Sequence, residues 1–110
     1  MRCKKYLCDM PGKIVTNLWH FAEVGHTDEA LKELKKIFKG KVVFDTPKPP
    51  RLIERILQII GDDNAIVLDS FSGSGTTAHA ALSMNKADSG HRKFILVEMM
   101  DYADSITAER

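Results

Sequence analysis

The sequence predicts an α/β fold built on a βαβ unit, and three observations carry the prediction. Ala65 to Leu68 is a continuous apolar run that ends on Asp69. A loop containing Gly73 and Gly75 follows, and it opens into a helical stretch. Phe94 to Val97 is a second apolar run, ending on Glu98. Unbroken apolar runs of this length suit strands covered on both faces of a parallel sheet, and parallel neighbours need a helical crossover between them. With 110 residues, 44% of them hydrophobic, the chain has material for one small domain and no second core. Two clear strands are too few for a finished sheet. An incomplete parallel sheet with open edges is therefore expected.

Residues 1 to 26 read as an irregular connecting segment, with a turn at Pro11-Gly12 and with Trp19, His20 and Phe21 following no period. The domain proper spans residues 27 to 110. Thr27 is placed to cap a helix, Asp28 and Glu29 sit in its first turn, and Ala30, Leu31, Leu34, Ile37 and Phe38 share one face. Lys35, Lys36 and Lys39 gather toward the end of that helix, where they offset its dipole from a solvated face, and Gly40 stops it. Val42 to Phe44 is a short strand or an extended entry. Thr46-Pro47-Lys48-Pro49-Pro50 then drives the backbone out of the helical region, and the last two prolines suit the first turn of the next helix. Leu52, Ile53, Ile56, Leu57 and Ile60 repeat at helical spacing before Gly61. Beyond the first apolar run, a helix from about Thr76 to Lys86 packs through Ala78, Ala81 and Leu82, and Asp88-Ser89-Gly90 turns the chain. Met100 to Arg110 begins a further helix without completing an amphipathic pattern.

Charge and composition exclude several classes. Lys plus Arg (16) nearly cancels Asp plus Glu (15), so there is no overall positive field to hold a polyanion. Any contact with nucleic acid must come largely from regions outside these residues. Cys3 and Cys8 lack a partner pair at zinc spacing and read as free thiols, so neither a metal nor a disulfide is expected. No apolar run approaches the roughly 18 residues of a membrane span, and the first ten residues lack the apolar stretch of a signal peptide. A cytoplasmic protein without membrane contact is expected.

The loop after the first strand carries the chemistry. In open α/β sheets this is where nucleotides bind. Gly73 and Gly75 let a ligand approach the backbone, and the free N–H groups of the following helix favour an anionic group. Glu98 stands where a carboxylate can accept hydrogen bonds from ribose hydroxyls. A phosphate-binding P-loop is excluded because no lysine follows either glycine. A nicotinamide fingerprint is a closer rival, since Gly73, Gly75 and Ala78 satisfy G-x-G-x-x-G/A. In that fingerprint, however, the first glycine comes almost directly off the strand, whereas Asp69, Ser70, Phe71 and Ser72 intervene here. The wider loop suits a cofactor that carries an amino acid. Asp69 can face its ammonium group or order the loop.

The run from Asp69 to Thr77, D-S-F-S-G-S-G-T-T, resembles the cofactor motif of S-adenosylmethionine-dependent DNA methyltransferases. Phe44 to Pro49, with Leu52 and Ile53, is similar to the companion motif that precedes the glycine loop in the circularly permuted group of these enzymes. The segments Asn85 to Glu98 and Tyr102 to Arg110, together with Trp19 and Val24 to Thr27, look most like the modification subunit of type III restriction systems, an adenine-N6 methyltransferase. The resemblance covers nearly the whole chain. It implies a partial Rossmann-like methyltransferase fold with S-adenosylmethionine as cofactor. Thr46 and Lys48 would hold the methionine end, Phe71, Ser72, Gly73, Ser74, Gly75, Thr76 and Thr77 would wrap the cofactor beside Asp69, and Glu98 would bind the ribose. Two blander readings stand beside these: Thr46 to Pro49 as a rigid turn, and Glu98 as a solvated strand end. His20, His26, His79 and His91 have no partner spacing that would make them catalysts.

Enzymes of this family also use a D-P-P-Y type motif, whose polar groups bind the target amine while the aromatic ring stacks on the extruded base. The one Pro-Pro pair here, Pro49-Pro50, lies between Lys48 and Arg51, so the motif is absent and no catalytic residue is assigned. In the permuted order that motif and the DNA-reading region lie N-terminal to everything present. The expected picture is a cofactor-binding fragment, marginally stable and inactive alone, that contacts DNA only through the missing regions. Its partners would be the remaining half of the methyltransferase or a restriction subunit. A non-enzymatic remnant or completing subunit is the alternative, and a nicotinamide-binding module is a third.

Overall fold

The computed structural model describes residues 15 to 110; Cys3, Cys8 and the Pro11-Gly12 turn lie outside the described residues. The chain enters through a single helical turn, α1 (Phe21–Val24), started by His20, whose Nδ1 accepts from the Ala22 N–H at 3.3 Å. The supposed connecting segment is thus partly helical. Its turn depends on this local cap, which leaves no mark on hydrophobic periodicity.

Helix α2 spans Thr27–Ile37 and buries Ala30 and Leu34. His26, not Thr27, is the N-cap residue, and no side chain caps the helix. His26 is extended, at φ −143°, so Thr27 has already entered helical geometry and its hydroxyl cannot reach forward to an N–H. The charges fall as the dipole requires, with Asp28 and Glu29 in the first turn and Lys35 and Lys36 in the last. Lys39 and Gly40 both take positive φ, and the Gly40 N–H reaches back to the Lys35 carbonyl.

Val42 to Phe44 forms no strand and joins no sheet among the described residues. Pro49 is the N-cap of α3 (Pro50–Ile60), and Pro50, at the first helical position, gives up an N–H that would have had no partner. Gly61 ends α3 in the left-handed region, its N–H returning to the Leu57 carbonyl.

Strand β1 (Ile66–Asp69), helix α4 (Thr76–Asp88) and strand β2 (Lys93–Leu96) form the predicted βαβ unit, each strand displaced by one residue from its apolar run. The strands are parallel, with Ile66 beside Lys93 and Asp69 beside Leu96. Among the described residues they make a two-stranded sheet. Helices α3 and α4 cover one face, where Leu57, Ala80, Ala81 and Met84 form the core with Ile53 and Val67 packed against it. Leu82 was expected in that core and is instead 57% exposed. The packed face of α4 runs through Thr77, Ala80, Ala81 and Met84, the three- and four-residue spacing of one helical stripe, and Leu82 lies about 100° round from Ala81.

The other sheet face differs from expectation. Ile66, Leu68 and Ile95 are each more than half exposed and Val97 is 45% exposed, so strands with doubly buried sequences are covered on one side only. After β2 the chain closes with a π-helical turn, Ala103–Thr107, in which the Ala108 N–H bonds five residues back to the Ala103 carbonyl. The regular helix that Met100 to Arg110 suggested is therefore replaced by a wider turn. No helix among the described residues is long and apolar enough to cross a membrane, and no three His, Cys, Asp or Glu side chains among them converge as metal ligands.

Candidate functional site

The loop between β1 and α4 is fixed at both ends by its own sequence. Asp69 accepts from the Phe71 N–H through one carboxylate oxygen and from the Thr77 hydroxyl through the other. Both bonds order the loop, one of the two roles its position allows. The Ser72 N–H donates to the Val97 carbonyl at 3.1 Å, joining the loop to the end of β2. The Gly75 N–H donates to the Ser72 carbonyl at 2.8 Å and closes the turn into α4. Gly75 is the N-cap of that helix and offers no capping side chain, so its first N–H groups are left for another acceptor.

Glu98 reaches across to the same loop. One carboxylate oxygen accepts from the Gly73 N–H at 2.9 Å, and the other accepts from the N–H groups of Met99 (2.9 Å) and Met100 (3.1 Å). The Met100 N–H has the largest part in holding this carboxyl below the usual glutamate range; burial acts the other way, and Gly73, Met99 and the Tyr102 hydroxyl add to the lowering. Burial, then the Glu98 charge, push the Tyr102 phenol up. Glu98 is thus an ionised, multiply bonded anchor between loop and sheet, not a solvated strand end.

The proline segment completes the enclosure. Pro47 is fully buried, Thr46 and Lys48 are exposed, and the Lys48 carbonyl accepts from the Thr76 hydroxyl at 3.2 Å. Phe44 meets Tyr102 edge to face with ring centroids 5.3 Å apart. Together these elements surround an open cavity of about 650 Å³. Ten of the eleven residues singled out from the sequence line it: Thr46 and Lys48 on one side, Asp69 and Glu98 at the strand ends, and the loop positions Phe71, Ser72, Gly73, Ser74, Thr76 and Thr77. Gly75 does not line it. Its back faces the Thr107 carbonyl, which lies 2.9 Å from where a Cβ would stand.

The rim equips this cavity for a ligand, and beside it the Ser72 hydroxyl is buried without a hydrogen-bond partner, a group that costs stability until something bonds it. Phe71 and Met99 leave about nine-tenths of their surface to solvent at the rim, where a flat apolar group can cover them. Lys48 supplies a cation and Asp69 and Glu98 two carboxylates around largely apolar walls, a lining suited to a ligand with a ring system and a charged polar tail. Sequence reasoning did not single out Phe44, Pro47, Ile53, Ser70, Val97, Met99, Met100 and Tyr102 as lining residues. Phe44 and Tyr102 stand in segments already noted, but their pairing across 58 positions has no local signature. His79 lies away from the cavity, between Arg110 at 3.3 Å and Glu33 at 3.6 Å, as expected of a packed helix residue.

Comparison with known proteins places this architecture. The family model described as DNA methylase matches residues 3–109. The chain belongs to the DNA methylase family. Among curated relatives, the chain is 46% identical over 85 residues to the StyLTI Mod subunit, a type III restriction-modification enzyme of Salmonella typhimurium, covering 77% of this chain and 13% of that protein. It is 46% identical over 84 residues to the type II methyltransferase M.KpnI of Klebsiella pneumoniae, covering 76% of the chain and 20% of that protein. It is 39% identical over 92 residues to the EcoPI Mod subunit, a type III restriction-modification enzyme of Escherichia phage P1, covering 84% and 14% respectively. The chain thus spans one fifth or less of the length of these relatives, and the resemblance drawn from its motifs holds.

Proposed function

We propose that the chain is the S-adenosylmethionine-binding portion of a DNA adenine-N6 methyltransferase from a restriction-modification system, arranged as part of a Rossmann-like methyltransferase fold. One observation carries this reading: the glycine loop, the Thr46 to Pro49 segment and Glu98, far apart in sequence, line a single cavity. The donor set fits the cofactor. Thr46 and Lys48 would hold its methionine end, Phe71 to Thr77 its middle, and Glu98, exchanging one of its loop bonds, the ribose. S-adenosylmethionine, when bound, supplies an electrophilic methyl group. The chain's own residues orient the cofactor and shield it from water.

The 110 residues carry no D-P-P-Y motif to present an acceptor amine, so the chain is proposed to be inactive by itself. Relatives named as Mod subunits belong to two-activity restriction-modification enzymes. By extension, the partner here is the remainder of a methyltransferase or a restriction subunit, and DNA is contacted through it.

Calorimetric titration of the chain with S-adenosylmethionine, with NAD as comparison, tests the cofactor. Tight binding of NAD with no response to S-adenosylmethionine would overturn the reading in favour of a nicotinamide module. Ser72→Ala should leave the ligand-free melting temperature unchanged or raise it, because it removes a buried hydroxyl that has no partner. Tritium transfer to duplex DNA by the purified chain alone should be nil, and robust transfer would refute the proposed inactivity.

A further inference from the structure

The face of the glycine loop opposite the cavity is held by Thr107 and Arg110. The Arg110 guanidinium is buried, with 1% of its side chain exposed. It donates to the Ser74 hydroxyl at 3.0 Å, the Thr76 hydroxyl at 2.9 Å and the Ser74 carbonyl at 3.3 Å, and its Nε donates to His79 Nδ1 at 3.3 Å. Glu33, on α2, lies 3.7 Å away as its counter-ion. Three positions earlier, the Thr107 hydroxyl donates to the Gly73 carbonyl at 2.6 Å. The Thr107 carbonyl also occupies the space that a side chain on Gly75 would need. Four consecutive loop positions, Gly73 to Thr76, are therefore gripped from behind by two residues more than thirty positions away.

We infer that Arg110 and Thr107 are positioning residues for ligand binding: they set the shape of the Gly73 to Thr76 loop from its rear face without touching the cavity's contents. The inference rests on the cofactor reading above for the identity of the ligand, but not for the clamp itself. Arginine is the side chain for this place. Its Nη1 serves Ser74 and Thr76 while Nε of the same rigid plane reaches His79, Nη2 stays without a hydrogen-bond partner beside Glu33, and lysine offers a single point of charge. Burial pulls the guanidinium below the ordinary arginine value, and the nearby Glu33 carboxylate acts against that pull. A guanidinium removed from water in this way is committed to its acceptors. Losing it would leave the Ser74 and Thr76 hydroxyls only their mutual bond and the bond of Thr76 to the Lys48 carbonyl, and would free the rear of the loop to change shape.

Amide hydrogen exchange on the full chain tests the clamp without ligand, and calorimetry with S-adenosylmethionine tests its consequence. In Arg110→Ala the Gly73 and Gly75 amides should exchange about tenfold faster or more, the scale of one hydrogen bond to a charged group, with α3 and β1 amides unchanged. Affinity for S-adenosylmethionine should fall by a similar factor. Millimolar guanidinium ion should restore slow exchange in Arg110→Ala and do nothing to the parent chain, whereas Arg110→Lys should stay close to the alanine variant. Unaltered Gly73 and Gly75 exchange in Arg110→Ala would overturn the clamp. So would a uniform acceleration that includes α3 and β1, since that marks general stabilisation. If Arg110→Ala does not fold, Thr107→Val decides, because it removes the hydroxyl that bonds Gly73 at nearly constant volume: faster Gly73 and Gly75 exchange supports the clamp and parent-like exchange refutes it. A parent chain that fails to bind S-adenosylmethionine while these exchange effects appear would refute the cofactor reading and leave the clamp standing.

Discussion

Gly75 and Gly61 form a matched pair in which conformational cost and steric cost separate. Both sit in the left-handed region, at φ +75° and φ +71°. An added Cβ at Gly61 meets nothing within 4 Å, whereas at Gly75 it would stand 2.9 Å from the Thr107 carbonyl oxygen, a backbone atom that no rotamer change can move. Gly61→Ala therefore carries only the left-handed penalty of about 1–2 kcal/mol. Gly75→Ala carries that penalty and an overpacking cost of about 1–3 kcal/mol, giving about 2–5 kcal/mol in all. For a domain of this size each kcal/mol shifts the melting temperature by roughly 4–8 °C, so the two variants should melt well apart. Circular dichroism melts of both variants beside the parent, at one protein concentration, measure the difference. Equal losses for the two alanines would refute the argument that Thr107 closes against the back of the loop.

Two further outcomes follow from the packing and the charges. Leu57→Ala should cost about 2–5 kcal/mol in urea denaturation, because Leu57 is 2% exposed and its neighbours Ala80 and Ala81 are too small to refill the space; a loss below about 1 kcal/mol would mean that the core collapses freely. Glu98, whose folded carboxyl is lowered, contributes local stability that is fully present above its unfolded value near 4.5 and is lost as pH falls through the lower folded value. The Gly73 and Met100 amide resonances should therefore hold steady through pH 4.5 and move only below it, and Glu98→Gln should abolish that titration; movement centred at or above pH 4.5 would contradict the bonding described.

Much of this was written in the sequence because the signals are local. The apolar runs fixed β1 and β2 to within a residue, the prolines fixed the start of α3, and glycine fixed its end. The loop positions converge because a βαβ crossover brings the carboxyl ends of parallel strands together whatever else surrounds them. Other features had no local cause. Thr27 lost the capping role to His26 because a cap is decided by one residue's backbone angles. Leu82 is as apolar as a core residue, yet the stripe through Ala80, Ala81 and Met84 was selected by where α3 lies. The grip of Arg110 on Ser74 spans 36 positions, and no spacing rule announces it.

The open face of the sheet has a thermodynamic consequence. Ile66, Leu68, Ile95 and Val97 present apolar side chains to water on the strands whose ends carry Asp69 and Glu98. Burying such surface contributes about 25 cal/mol per Å², and whatever covers it in the folded chain alone raises folded stability by mass action. The loop hangs from those same strands through the bonds of Ser72 to Val97 and Gly73 to Glu98. Any coupling between cover on that face and a molecule held at the strand tips is reciprocal, each changing the affinity for the other by the same factor.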